Sequence, residues 1–327
     1  IMELPLPVEE MGEWLCAQKP LGCFGRGNIN VIDIDPKPWS GHFNYLVSSG
    51  RKKFVLRFRG PEWGSVAGIR DEFEILQAVA PYCVAPQAYF FTEDFFGEPM
   101  MLQEYLTGKS LSAYVIAAQK KMFPEIARFI AGINMIPFPE TVLSFRERVM
   151  GYLRHKDTWR LRLNVILLSR ETEAWASKIE KLIPRAEAML DRFEEKLADV
   201  NPAFVFESAH LGHCMRARSG FWFLNWEQVS FGDPAFTLGV FLASLIERPD
   251  FEIIKSMMIA EYCRVNPIPR FAELVENRLR EREVSNLLWV PWAHINRQRG
   301  GNVGQALDLS LRFRRVEKLI AEFSNKK

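Results

Sequence analysis

Between residues 29 and 58 the chain alternates. INVIDID (29–35), FNYLVSS (43–49) and KKFVLRF (52–58) set β-branched and aromatic residues at every second position or in short apolar runs. PKPWSGH and SGR between them are turn signals, so the spacing predicts a three-stranded antiparallel meander. PVEEMGEWLCAQ (7–18) and SVAGIRDEFEILQAVA (65–80) carry apolar residues at helical period, the second stopped by Pro81. APQAYFFTED (85–94) and GEPMMLQEYL (97–106) read as two further strands.

From Leu106 the period is mostly helical. SLSAYVIAAQKK and FPEIARFIAGINM are amphipathic, and residues 141–199 form a helix-rich section in which Pro184 breaks EAWASKIEKLI from RAEAMLDRFEEKL. Short strands return at 203–226, and helices resume at Ala235 and run to the carboxyl terminus. No internal repeat or low-complexity segment interrupts the pattern. Strands first and helices after, with a β-rich island in the second half, predict an α+β fold with two lobes, 1–105 and 106–327.

Composition narrows the function class. The 327 residues are 48% hydrophobic and 25% charged with net charge +2, which gives no strong field for nucleic acid or an anionic membrane. The basic run Arg154, Lys156, Arg160 and Arg162 reads as a solvated helix face. Five scattered cysteines without CxxC spacing argue against a disulfide framework or zinc ribbon and for a reducing, cytoplasmic setting. No run of about 20 apolar residues is present, so no membrane span is expected. The first residues show no basic stretch followed by an apolar one, so no secretion signal is expected either.

Chemistry concentrates in FVFESAHLGHCMRARSGFWFLNWEQVSFGDPAFTLG (204–239). With this stretch in view, residues 25–245 resemble the aminoglycoside phosphotransferase and choline kinase family, whose fold is protein-kinase-like: an antiparallel sheet lobe and a mainly helical lobe. SGHFNY matches the glycine-rich hairpin (Gly41, Asn44), FVLRF puts Arg57 at the lysine position, and DEFEIL offers Glu72 as its helix partner. MLQEYLTGKSL matches the hinge (Glu104, Leu106, Gly108), ESAHLGHC the catalytic loop, LNWE the metal motif and GDPAFTLG the segment after it. The resemblance implies ATP as the nucleotide, bound by Gly41, Asn44, Arg57, Glu72, Glu104 and Leu106.

The same alignment empties the chemical positions. Phosphoryl transfer needs a positioned acceptor hydroxyl and cations that neutralise the transferring phosphate. Magnesium takes hard oxygen ligands, usually one or two carboxylates. The position of the base is Ala209, and that of the metal-binding Asn is Cys214, a soft ligand. The position of the metal Asp is Asn225, and that of the Asp that braces the catalytic loop is Thr237. Spacing within the motif is intact, so the alignment does not slip. Loss of a base alone costs roughly 10²–10⁴ in rate, and loss of the metal carboxylate removes the charge clamp as well.

The expectation is a catalytically impaired, kinase-like protein, a pseudokinase that binds a protein partner or small ligand in a scaffolding or regulatory role. No intact catalytic residue and no metal site is assigned, and the losses weigh against magnesium. The alternative is an active small-molecule phosphotransferase that rebuilds its site from Glu207 and Glu227. HLGHC (His210, His213, Cys214) resembles part of a zinc set but lacks a fourth partner, and nothing identifies a base for Cys214 as a nucleophile. Trp39, Trp63, Trp289 and Trp292 are read as core or lid packing.

Overall fold

The computed structural model describes residues 7–18, 24, 28–34, 42–59, 68–137, 149–168, 173–227, 229–298 and 309–325. Along the chain these form α1 (Val8–Gln18), β1 (Ile29–Asp33), β2 (His42–Ser49), β3 (Lys52–Arg59), α2 (Ile69–Val79), β4 (Ala88–Phe95), β5 (Glu98–Glu104) and β6 (Gly108–Ser110). Then follow α3 (Ile116–Asn134), β7 (Val149–Met150), α4 (Arg154–Leu167), α5 (Glu173–Glu195), β8 (Ala203–Phe206), β9 (Cys214–Ala217), β10 (Gly220–Phe223) and β11 (Val229–Gly232). Helices α6 (Phe236–Ala243), α7 (Phe251–Val265), α8 (Phe271–Gln298) and α9 (Leu309–Asn325) complete it.

Packing divides the chain into two units. The first takes Ile1–Val115, Pro139–Glu147 and Leu211–Val229; the second takes Ile116–Phe138, Arg148–His210 and Ser230–Lys327. Set beside the boundary expected at 105/106, the first unit runs ten residues further and also claims the segment that carries Cys214 and Asn225.

In the first unit the predicted meander is present and is extended to a five-stranded antiparallel sheet, ordered β1-β2-β3-β5-β4. Strand alternation sorts its side chains. Tyr45 lies opposite Leu56 and Val47 opposite Phe54, and these join Met11 and Leu15 of α1 in one core on one face. Asn44 lies opposite Arg57 and therefore on the other face, where α2 packs with Ile75, Leu76 and Val79 buried. A second sheet, β10-β9-β6, joins the hinge segment to the stretch after the catalytic loop. Gly108 is needed there, because a Cβ on it would sit 2.5 Å from the Arg216 carbonyl oxygen.

The second unit is mainly helical. Trp159 and Leu163 of α4, Ile179 and Leu190 of α5, Leu287 of α8 and Val316 of α9 share one core. Proline is carried inside α3 and α5. Pro184 does not break the helical section, since α5 runs unbroken through it. Pro124 likewise lies inside α3, which joins what reads as two segments. Apolar packing of the flanking turns offsets the lost backbone hydrogen bond in each. Before Pro81 the helix does stop as expected: α2 ends at Val79, and a single 3-10 turn, Ala80–Tyr82, holds the proline. Among the described residues, no helix is long and apolar enough to cross a membrane.

Candidate functional site

Arg57 projects from the α2-covered face of β3 and is 7% exposed. Its Nε lies 2.7 Å from Glu72 Oε2, which realises the cation–carboxylate pair the resemblance implies. Its Nη1 donates to Asn44 Oδ1 at 3.3 Å, across the β2–β3 register. Its Nη2 donates to Asn225 Oδ1 at 2.5 Å and lies 2.9 Å from His42 Nδ1. Three of the five guanidinium N–H groups therefore have a hydrogen-bond partner, and Nε is held by Glu72 as an ion pair.

Asn225, Trp226 and Glu227 each reach a different element of this face. Asn225 sits at φ +73, a left-handed conformation that Asn tolerates better than most residues, and turns its side chain to Arg57. The Trp226 backbone N–H donates to Glu72 Oε1 at 3.0 Å, while its indole N–H donates to the Phe223 carbonyl at 2.7 Å. Glu227 Oε2 lies 2.8 Å from His42 Nε2. Burial pushes the Glu72 carboxyl up, a tendency Arg57 opposes and the nearby Glu227 charge reinforces. Burial works the same way on Glu227, but the His42 hydrogen bond and the Arg57 charge outweigh it and hold the carboxyl below its ordinary value.

Among the described residues, His42, Glu72 and Glu227 are a buried group whose potential metal-ligand atoms lie within 4.8 Å of one another. Arg57 changes what that group can do. A guanidinium has no acceptor, so His42 Nδ1 receives the Nη2–H, and the neutral ring carries its proton on Nε2, towards Glu227. Coordination through Nε2 would push that proton onto Nδ1, against Arg57. The arginine thus supplies the positive charge that the two carboxylates would otherwise take from a bound cation.

The other expected residues fall as follows. Gly41 lies outside the described residues, as do Trp39 and Trp63. Glu104 ends β5 and exchanges contacts with Gln87, donating its N–H to that carbonyl at 2.7 Å; Leu106 follows it, half-buried. Cys214 opens β9, fully buried opposite Phe223, and burial drives its thiol far up, which leaves it an apolar filler. Ala209 is fully buried. Glu207 is half-buried with Arg154 at 4.0 Å. Thr237 is buried, and its hydroxyl accepts the Phe206 backbone N–H at 2.8 Å, which ties α6 to β8. HLGHC gathers no metal group among the described residues. The basic run on α4 is not simply solvated: Arg160 grips Glu187 with two bonds of 2.7 and 2.8 Å, Lys156 pairs with Asp191, and Arg162 lies over the Trp292 ring.

The second unit holds a separate buried network. Arg278, fully buried, donates from Nε and Nη2 to Asp233 Oδ2 at 3.1 and 2.8 Å and from Nη1 to Glu281 Oε2 at 3.3 Å. Its guanidinium stacks 3.9 Å from the Tyr152 ring centre. Asp233 Oδ1 accepts the Ala235 N–H at 2.9 Å, so the GDP aspartate anchors the start of α6. His155 contacts Arg278 and Glu281, and Ser285 links Glu281 to the Trp159 indole.

His42 and Arg278 are absent from the sequence reading. Alternation along HFNY puts His42 on the face of Asn44, so its side was legible, but its partner Glu227 is not local. Arg278 lies in ENRLRERE, where nothing marks one of several charges as buried.

Residues 36–274 match the family described as Phosphotransferase enzyme family. The chain belongs to this family. No curated protein matches it in sequence. Among solved structures it is similar to the choline kinase LicA from Streptococcus pneumoniae, at 14% identity and TM-score 0.62 over 96% of this chain and 98% of that one. It is also similar to a choline kinase from Cryptosporidium parvum Iowa II, at 12% identity and TM-score 0.67 over 98% and 97%. A spectinomycin phosphotransferase in complex with ADP and spectinomycin aligns at 12% identity and TM-score 0.63 over 98% and 99%. These likenesses establish the expected kinase-like α+β fold.

Proposed function

We propose that this member of the phosphotransferase family is catalytically impaired and acts by binding a protein partner or small ligand in a scaffolding or regulatory role. The observation that carries the reading is the Arg57–Asn225 bond: the position of the metal carboxylate holds a neutral amide whose oxygen is committed to the protein's own cation. The residues present do not fit magnesium, since Asn225 lacks the charge, Cys214 is a buried thiol, and Ala209 offers no proton acceptor. Glu227, the carboxylate that a rebuilt site would use, is turned to His42. An adenine nucleotide remains the ligand this reading favours for the first unit, supported by the ADP complex of the spectinomycin phosphotransferase and the AMP complex of LicA. The free thiols Cys16, Cys83, Cys214 and Cys263 support a cytoplasmic setting.

The test is thermal shift with ATP, with and without magnesium or manganese, beside a phosphoryl-transfer assay. A ligand at 100 times its Kd adds about 2.7 kcal/mol of stability, which is readily seen. The expected result is a shift that does not depend on metal, or none, with no turnover. Robust magnesium-dependent phosphoryl transfer, abolished by Glu207→Ala or Glu227→Ala, would overturn the reading.

A further inference from the structure

Three successive residues, each bound to a different group around one arginine, form a device rather than a scatter of contacts. We propose that residues 225–227 are a strap that withholds Arg57 from phosphate-bearing ligands and must lift before one can bind. The inference rests on the reading above that this site binds rather than catalyses.

The occupancy of the guanidinium carries it. A phosphate takes an arginine best through two parallel N–H bonds along one edge of the fork. Either two-bond edge needs Nη2, whose two hydrogens are held by Asn225 and His42; one Nη1 hydrogen is held by Asn44, and Glu72 lies against Nε as an ion pair. A phosphate must therefore displace the Asn225 oxygen or the His42 ring. The segment is anchored just before the strap, where the Leu224 N–H donates to the His213 carbonyl at 2.9 Å. Beyond the anchor, Glu227 adds the bond to His42 and a 4.0 Å approach to Arg57 Nη2. An equilibrium between strapped and lifted forms lowers apparent affinity by the lifted fraction.

The decisive variant is Asn225→Gly. Glycine adopts the +73 φ without strain, and the change alters no charge, so a gain for ATP that adenosine does not share reports an Arg57 freed for phosphate. ATP in EDTA is titrated into the wild type, Asn225→Gly and Asn225→Gly/His42→Ala, with adenosine as the phosphate-free control. The expected result is about tenfold tighter ATP binding in the variants, the gain for a lifted form that is about a tenth of the population, with adenosine unchanged. Equal or weaker ATP binding by the variants, an equal gain for adenosine, or no ATP binding by any of the proteins would overturn the strap.

A second measurement needs no variant. Hydrogen exchange at the Trp226 amide, bonded to Glu72 in the strapped form, is expected to quicken when the wild type is saturated with ATP. Unchanged protection with ATP bound would overturn the proposal. Its failure is distinct from failure of the functional reading, which falls only on metal-dependent phosphoryl transfer.

Discussion

Arg278 and Asp233 meet in a fully buried pair, with two guanidinium nitrogens on one carboxylate oxygen at 3.1 and 2.8 Å. The pair ties α8 to the start of α6, and Gly239 of α6 makes room for it. A Cβ on Gly239 would lie 2.5 Å from Arg278 Cγ.

Removal of the cation leaves Asp233 and Glu281 buried and uncompensated. Arg278→Met is expected to cost about 3–5 kcal/mol in urea unfolding, the usual penalty for breaking a buried pair from one side. Glu281→Gln should cost less, because Arg278 keeps Asp233 and the excess negative charge falls.

Acid should weaken the same network. Burial lowers His155 from 6.5 to about 4, so the unfolded chain takes up its proton first as pH falls. Stability from this group is full above about 6.5 and is lost down to about 4. Burial alone would raise Glu281, but His155, Arg282 and Arg278 bring it to about 2, so its contribution is lost below its ordinary 4.5. The urea midpoint should therefore drop between pH 7 and pH 4, and His155→Gln should flatten the upper part of that slope.

Thr237 ties α6 to β8 through one buried hydrogen bond. Thr237→Val keeps the shape and leaves the Phe206 N–H without its acceptor, with an expected loss of about 1–3 kcal/mol in chemical denaturation. Thr237→Ser, which retains the hydroxyl, should recover most of it. Equal losses in both variants would show that the bond contributes nothing.

Restoring one carboxylate should not restore chemistry. Asn225→Asp returns the charge, yet Arg57 remains its neighbour and Ala209 and Cys214 are unchanged. Phosphate release from magnesium–ATP is expected to stay at the wild-type level. A clear rise would mean that the residue at 225 alone limits phosphoryl transfer.

Gly108→Ala should loosen the joint between β6 and β9. The added methyl meets backbone, which cannot swing aside, so a loss of about 1–3 kcal/mol is expected in the same assay.

Much of the site was legible one residue at a time. Arg57, Glu72 and Asn44 stand in the arrangement their motif positions suggest, since strand alternation and helix period are local rules. Asn225 reads as a lost carboxylate, but its bond to Arg57 joins positions far apart in the chain, and no local pattern encodes it. Thr237 reads as a loss and proves to be a neutral acceptor in use. Pro184 reads as a break because local sterics disfavour it, and the packing of α5 overrides them.

The amino-acid order alone determined most strands and helices of this protein, its family motif spacing, and the neutral residue types at 209, 225 and 237. Those are properties of residue type and short-range period. Only the tertiary structure decided that Arg57 takes the oxygen of Asn225, that His42 joins the pair through Glu227, and that Arg278 is the buried cation of the helical unit. Each depends on burial and on long-range contact, where desolvation makes a partner obligatory but leaves its identity to the fold.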